Sequence, residues 1–465
     1  MLEGRETVLL EPTTKHARMG AVGDRYRCPE NLLDFALSAP LSSDEGYFRF
    51  GANSICYGRS SCGTRQPAIH TSMYDVLDDV RIDNGTLRLP FDPENIVQNL
   101  LLERYLGAAC RPGPGTLKKL YYILRPLTNL SMRRGIQRFH ARNWKEASFP
   151  KWPVDTTVED ICERLLLLSM KASGVERVPF IWFWPNGAPG CFMVTHDVET
   201  QAGRDYCSKL MDIDDSFDIK SSFEIVPEDR YTVPSALLEL IRSRGFEVEV
   251  QDLNHDGRLF DDKSEFLRRV KLVNRYGREY DAPGFRAAAL YRKPEWYEAF
   301  EFEFDMSFPN VAPLDPQRGG CCSVMPFFIG EILELPVTTT QDYTLFHLLN
   351  ERSIDLWTTQ IDQILKKNGL VSFIIHPDYI IKPDTGRTYE RLLRHLRSLS
   401  DNLPVWFALP SAVNSWWRAR SKMSLVEEGN SWKIQGDDTG RARLAYAKNV
   451  GDSLVYELAS TGVGL

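Results

Sequence analysis

Five apolar runs in this 465-residue chain end on side chains that can bind a cation or move a proton. Cys-Phe-Met-Val-Thr (191–195) leads into His196-Asp197-Val198-Glu199, and Phe-Glu-Val-Glu-Val (246–250) leads into Gln251-Asp252-Leu253-Asn254-His255-Asp256. Gly284-Phe285 leads into Arg286, Phe-Glu-Phe-Glu-Phe (300–304) into Asp305, and Val-Ser-Phe-Ile-Ile (371–375) into His376. A carboxylate serves as general base or oxygen ligand, an imidazole as general acid or nitrogen ligand, and a guanidinium holds a carboxylate by charge-assisted hydrogen bonds. Read singly, each residue has a plain structural explanation. An Asp after a strand caps a helix or starts a turn, a loop histidine is satisfied by its neighbours, and Arg286 neutralises a buried acid. Read together, in one order, at one kind of place, they are hard to explain by packing alone.

The elements that must position them alternate from about 188 to 420. Strand candidates are 191–195, 220–226, 246–251, 284–288, 302–306, 332–337, 371–376 and 405–408, with helical patterns over 203–216, 235–243, 263–276, 343–350, 354–367 and 389–399. Such alternation predicts an α/β fold with a parallel sheet covered by helices, open or closed into a barrel. Ligand chemistry in these folds gathers at the carboxyl ends of the strands. No GxGxxG or GxxxxGK[ST] run follows an early strand, so the dinucleotide and P-loop readings lose their support. Three regions follow: an N-terminal α+β domain of unassigned role (1–187), the strand–helix region (188–422) and a small C-terminal β appendage (423–465). The first contains short strand-like runs (47–52, 54–57, 86–89) and helical patterns over 93–105, 116–124, 132–144 and 158–172.

Lys and Arg total 56 against 63 Asp and Glu, a net charge of −7, which gives no global attraction to nucleic acid or an anionic membrane. No window approaches the roughly 18 consecutive apolar residues of a membrane span, and the start lacks the apolar core of a signal peptide, so a soluble cytoplasmic chain is expected. Nine cysteines without CxxC spacing predict reduced, mostly buried thiols rather than a disulfide framework or thiolate zinc site. Cys321 and Cys322 have no histidine beside them in sequence, against a thiol nucleophile. Oligomeric state leaves no signature.

The order Thr195-His196-Asp197-Val198-Glu199, a His-containing loop, Phe285-Arg286, Asp305 and Ile375-His376 resembles the NodB-like polysaccharide deacetylases (carbohydrate esterase family 4). The segment 212–223, a helix leading into a strand, resembles the same family, and the resemblance covers about half the chain, 188–420. It implies an irregular (β/α)7 barrel, a divalent metal (commonly zinc) and hydrolysis of an N-acyl group. It assigns Asp197 as general base, Glu199 as metal ligand, Arg286 as the group that orients the base, and His376 as general acid. A carboxylate partner such as Asp305 would keep His376 protonated. The family's second motif supplies two histidines four residues apart. Here His255 matches the second, and Gln251 stands where the first is expected, with Asp252, Asp256 or His196 as substitute ligands. A neutral amide is a poor zinc ligand beside imidazole or carboxylate.

The function expected is therefore a metal-dependent hydrolase that removes acetyl or other N-acyl groups from an amino sugar or glycan. Phe285, Tyr291, Trp296, Tyr379 and Trp417 are candidates for contact with sugar faces. Two alternatives stand beside it: a non-catalytic glycan-binding protein on a degenerate deacetylase scaffold, motivated by Gln251, and a hydrolase of a small non-peptide amide.

Overall fold

The computed structural model describes residues 20–70, 72–107, 148–429 and 431–459. The helical patterns at 116–124 and 132–144 lie outside those residues. The centre of the molecule is a nine-stranded sheet whose strands are β1 (Cys191–Val198), β2 (Ser222–Ile225), β3 (Glu247–Gln251), β4 (Gly284–Arg286), β5 (Phe304–Asp305), β6 (Phe327–Ile329), β7 (Ile332–Glu334), β8 (Leu370–Ile375) and β9 (Trp406–Phe407). Their spatial order is β6-β7-β5-β4-β3-β2-β1-β8, with β9 pairing the start of β1. β6 alone runs antiparallel to its neighbour; the other pairings in the sheet are parallel.

All eight residues of β1 and all six of β8 are buried, as expected for parallel strands covered on both faces. The ladder path does not close, because no strand pairing joins β8 to β7 among the described residues. Side chains bridge that gap instead. The Thr338 backbone N–H donates to Ser372 Oγ (3.0 Å), Thr338 Oγ1 donates to Leu370 O (2.7 Å), and Ser372 Oγ donates to Pro336 O (2.6 Å). The chain after β7 is thereby held along β8, and the sheet curls so that its strand ends face a common centre.

Helices follow most strands, and several begin on the expected cap chemistry. Thr200 caps Gln201–Ser216 through Gly203 N, and Asp262 caps Lys263–Glu279 through Ser264 N and Glu265 N. These caps place helix starts beside the carboxyl ends of β1 and β3. The pattern expected as a helix at 343–350 is a π-helical turn, Thr344–Leu348, and the longest helix among the described residues is Pro383–Asn402. No described helix is long and apolar enough to cross a membrane.

The flanking regions join the same apolar core. Arg177–Ile181 pairs antiparallel with Leu444–Val450, which pairs in turn with Ser453–Leu458, so residues from either side of the central region share a sheet. A buried ion pair ties Glu103 to Arg292, with Arg292 Nε donating to Glu103 Oε2 at 2.6 Å. Every cysteine among the described residues is a free thiol, and burial holds Cys321 and Cys322 well above the ordinary thiol range, where the nucleophilic thiolate is suppressed.

Candidate active site

Period-two alternation along β1 puts Thr195, Asp197 and Glu199 on one face and His196 on the other. His196 accordingly leaves the site. Its Nε2 lies 3.0 Å from Asp214 Oδ2 and its Nδ1 3.3 Å from Ile375 O, beneath the Tyr389 ring. Asp197 meets Arg286 from the end of β4, with Arg286 Nη1 donating to Asp197 Oδ1 at 2.5 Å and to Thr195 Oγ1 at 2.8 Å. Arg286 Nε donates to Met306 O (3.0 Å), and Glu224 Oε2 on β2 lies 3.5 Å from Nη1. Burial works against the guanidinium charge, but Asp197 and Glu224 raise its pKa above the ordinary value. Burial pushes the Glu224 carboxyl up to about 7 in spite of Arg286.

Glu199, just past β1, is the meeting point. Its Oε1 lies 2.7 Å from His255 Nε2 and 3.3 Å from His376 Nε2. Burial alone would push the Glu199 carboxyl up, yet the two imidazoles hold it well below the usual carboxylate range. His376 follows β8 directly. Its Nδ1 lies 2.6 Å from Asp342 Oδ1, and its backbone N–H donates to Asp342 Oδ2 at 2.8 Å. Burial would lower the His376 pKa, but Asp342 and Glu199 hold it well above the ordinary value, which favours the imidazolium.

The carboxylate behind His376 is thus Asp342 and not Asp305. Asp305 accepts from Ser307 Oγ (2.7 Å) and Tyr297 OH (3.0 Å) and sits in register with Glu334 on β7. These lateral partners hold Asp305 within the sheet.

Gln251 ends β3 and reaches both carboxylates: Nε2 donates to Asp197 Oδ2 (3.0 Å) and to Glu199 Oε1 (3.3 Å). Neither proposed acidic substitute is drawn toward Glu199. Asp252 Oδ1 accepts from Leu253 N at 2.7 Å, and Asp256 is paired with Arg269 at 2.8 and 2.9 Å. Of the aromatic candidates, Tyr379 lies against His376, ring centroids 4.7 Å apart. Phe285 points away from Arg286 into Phe300 and Phe302, Trp296 packs on Phe260 and Phe266, Trp417 packs on Trp184, and Tyr291 is buried. Asp342 and Arg230, which stands behind His255, are site residues that strand-end reasoning does not reach. Asp342 had a weak signal, as the first acid after the run 332–337.

Asp197, Glu199 and His376 each offer a ligand atom, all within 4.8 Å of one another, a group that could hold a metal ion. The set implied by the resemblance, Glu199, Gln251 and His255, does not fit zinc. Gln251 presents N–H to the carboxylates, and turning the amide would set its oxygen against two carboxylate oxygens.

The curled α/β sheet carries carboxylate, imidazole and guanidinium groups at its strand ends, and solved structures to which this chain is similar include polysaccharide deacetylases and an allantoinase. One is a candidate polysaccharide deacetylase from Mycobacterium smegmatis, 17% identical, covering 53% of this chain and 96% of that one with a TM-score of 0.42. Another is PuuE allantoinase, 12% identical, covering 51% and 92% with a TM-score of 0.40. A third is a family 4 acetyl xylan esterase from Clostridium thermocellum in complex with a cobalt ion, 11% identical, covering 49% and 91% with a TM-score of 0.32. No family model and no curated protein matches the sequence.

Proposed function

We propose that this chain is a divergent NodB-like deacetylase that binds an N-acylated sugar or glycan at Glu199 and hydrolyses its acyl group, a carbon–nitrogen bond outside peptides. The observation that supports this reading is a base and an acid with opposite backing: Asp197 fixed by Arg286, and His376 fixed by Asp342, both beside Glu199. Asp197 takes a proton from water as the oxygen adds to the acyl carbon. The carbon–nitrogen bond then breaks as His376 gives its Nε2 proton to the leaving nitrogen. Tyr379, whose ring lies tilted against His376, would be the aromatic face offered to a sugar.

A divalent cation, zinc being the usual choice for nitrogen and oxygen ligands, would sharpen the nucleophile by lowering the pKa of bound water. Asp197, Glu199 and His376 would have to hold it, two of them the proposed base and acid, and no step above is routed through it. In this reading residues 188–422 form the catalytic unit, with 1–187 and 423–465 as accessory segments.

The test is acetate release from N-acetylated glucosamine oligomers. Asp197→Asn should lose at least about 100-fold, the usual range for removing a general base, with unchanged circular dichroism. Full activity in that variant would overturn the assignment. A second reading, glycan binding without turnover, is favoured by Gln251. It predicts saturable sugar binding by the wild type with no acetate released.

A further inference from the structure

What stands behind His255 differs from what stands behind His376. Arg230 Nη2 lies 3.1 Å from His255 Nδ1. A guanidinium has only N–H donors, so Nδ1 must be the lone-pair nitrogen, and in the neutral ring the proton sits on Nε2. A histidine that ligates a metal through Nε2 carries the reverse tautomer, with Nδ1–H donating to a carboxylate, carbonyl or water. His376 has that reverse arrangement, with Asp342 at its Nδ1; His255 does not.

Arg230 is not a chance neighbour. Its loop, after β2, is tied to the loop of His255 by Glu228 N donating to Leu253 O (3.0 Å) and Asn254 Nδ2 donating to Asp229 Oδ2 (3.2 Å). On the other side of the pocket the Gln251 amide nitrogen bridges Asp197 and Glu199, so N–H groups meet both carboxylates where a cation would lie. Gln251 Oε1 is buried with no hydrogen-bond partner among the described residues, and His255 Nε2 is turned onto Glu199 Oε1 at 2.7 Å. These are the two side chains that the family pattern would turn toward a metal.

We propose that Arg230 and Gln251 together take the place of a divalent cation in this pocket. Arg230 fixes His255 in the tautomer that cannot ligate, and Gln251 pairs the two carboxylates through its amide N–H groups. The pocket then receives its ligand without a metal ion. The inference rests on the proposed reading only for the location of the site; acyl transfer itself is not needed.

The test uses the full chain and two readouts that do not depend on turnover. After chelator washing and dialysis against zinc chloride, the wild type should retain no stoichiometric zinc. Gln251→His alone should gain weak zinc binding, and Gln251→His with Arg230→Met should bind at least about tenfold tighter, within the range seen when ligand-orienting partners change. Nitrogen-15 spectra of wild-type His255 should show Nδ1 unprotonated. Stoichiometric zinc in the wild type, equal affinity of the single and double variants, or a protonated Nδ1 would each overturn the proposal. The spectroscopic arm decides even if the double variant does not fold. Absence of acetate release would count against the proposed reaction and leave this result untouched.

Discussion

The Asp197–Arg286 contact is the strongest quantitative handle on the site. Both side chains are almost fully buried, and Arg286 Nη1 is 2.5 Å from Asp197 Oδ1. Arg286→Met leaves Asp197 with the Gln251 amide as its remaining hydrogen-bond donor, and breaking one side of a buried pair costs about 3–5 kcal/mol. Asp197→Asn is milder, about 1–3 kcal/mol, because Arg286 keeps Thr195 Oγ1, Met306 O and the nearby Glu224. In the double variant the buried carboxylate is gone with the guanidinium, so the losses should not add. A coupling energy of about 2–3 kcal/mol is expected, within the span measured for close buried charge pairs. Urea unfolding of the four proteins at neutral pH, with slopes compared to exclude a changed unfolded state, measures it directly. Repeating the cycle with Glu224→Gln in the background removes the second acid that Arg286 faces. Additivity within about 0.5 kcal/mol would mean that the two groups do not hold one another, and the account of the base would fail.

The other predictions concern charge burial around the same pocket. Glu224, raised from 4.5 to about 7, contributes stability that is present below about pH 4.5 and lost as pH rises through about 7. Glu224→Gln, which mimics the protonated acid, should therefore gain up to ~3 kcal/mol over wild type near pH 8 and nothing near pH 4. Equal stability at both pH values would contradict the burial argument. His376 titrates well above 6.5, so its favourable contribution is full below about 6.5 and is lost as pH rises through its folded pKa. Asp342→Asn should move that titration down in histidine NMR spectra, and with it the alkaline limb of any pH–rate profile; an unmoved titration would show that Asp342 is not the controlling charge. Glu103→Gln should destabilise by about 3–5 kcal/mol in thermal or urea unfolding, because it strands the Arg292 guanidinium in a buried site.

Much of the fold could be read from the chain because parallel strands buried on both faces leave near-continuous apolar runs. Each of the eight expected runs lies on a strand of the sheet; most are trimmed by one to three residues, while β1 runs three residues further than expected. β6 and Arg177–Ile181 escaped because Phe327–Ile329 is three residues long and Arg177–Ile181 finds its partner only at Leu444–Val450. The side-chain seam between Pro336–Thr339 and β8 has no periodic signature. At the site, strand ends point to Asp197, Glu199, Gln251, His255, Arg286 and His376, and the fold brings these together. Asp305 misled for a topological reason: it lies at a strand end, but its neighbour across the ladder is Glu334, and the two acids and Ser307 occupy one another. His196 could have been excluded by alternation alone, since Asp197 cannot share a strand face with its neighbour. Arg230 could not have been found, since its position is set by hydrogen bonds between two irregular loops.

Under the proposed function, which of the two carboxylates would act as base follows from what surrounds each. Glu199 stands beside two imidazoles and an amide N–H, and those partners hold its proton affinity well below normal. A carboxylate so depressed is a weak proton acceptor, because Brønsted behaviour ties the acceptor's strength to its pKa. Asp197 instead meets the Arg286 guanidinium and a single amide N–H, which fix the orientation of its carboxylate. His376 has the complementary arrangement: a buried carboxylate at Nδ1 favours the imidazolium and leaves Nε2–H as the proton that can depart. Under the proposed function, proton uptake would fall to Asp197 and proton delivery to His376, with Glu199 a fixed negative charge that keeps the acid loaded. Glu199→Gln should then lower the pKa of His376 as well as the rate, whereas Asp197→Asn should lower the rate alone. A His376 titration unmoved by Glu199→Gln would break the assignment at its central residue.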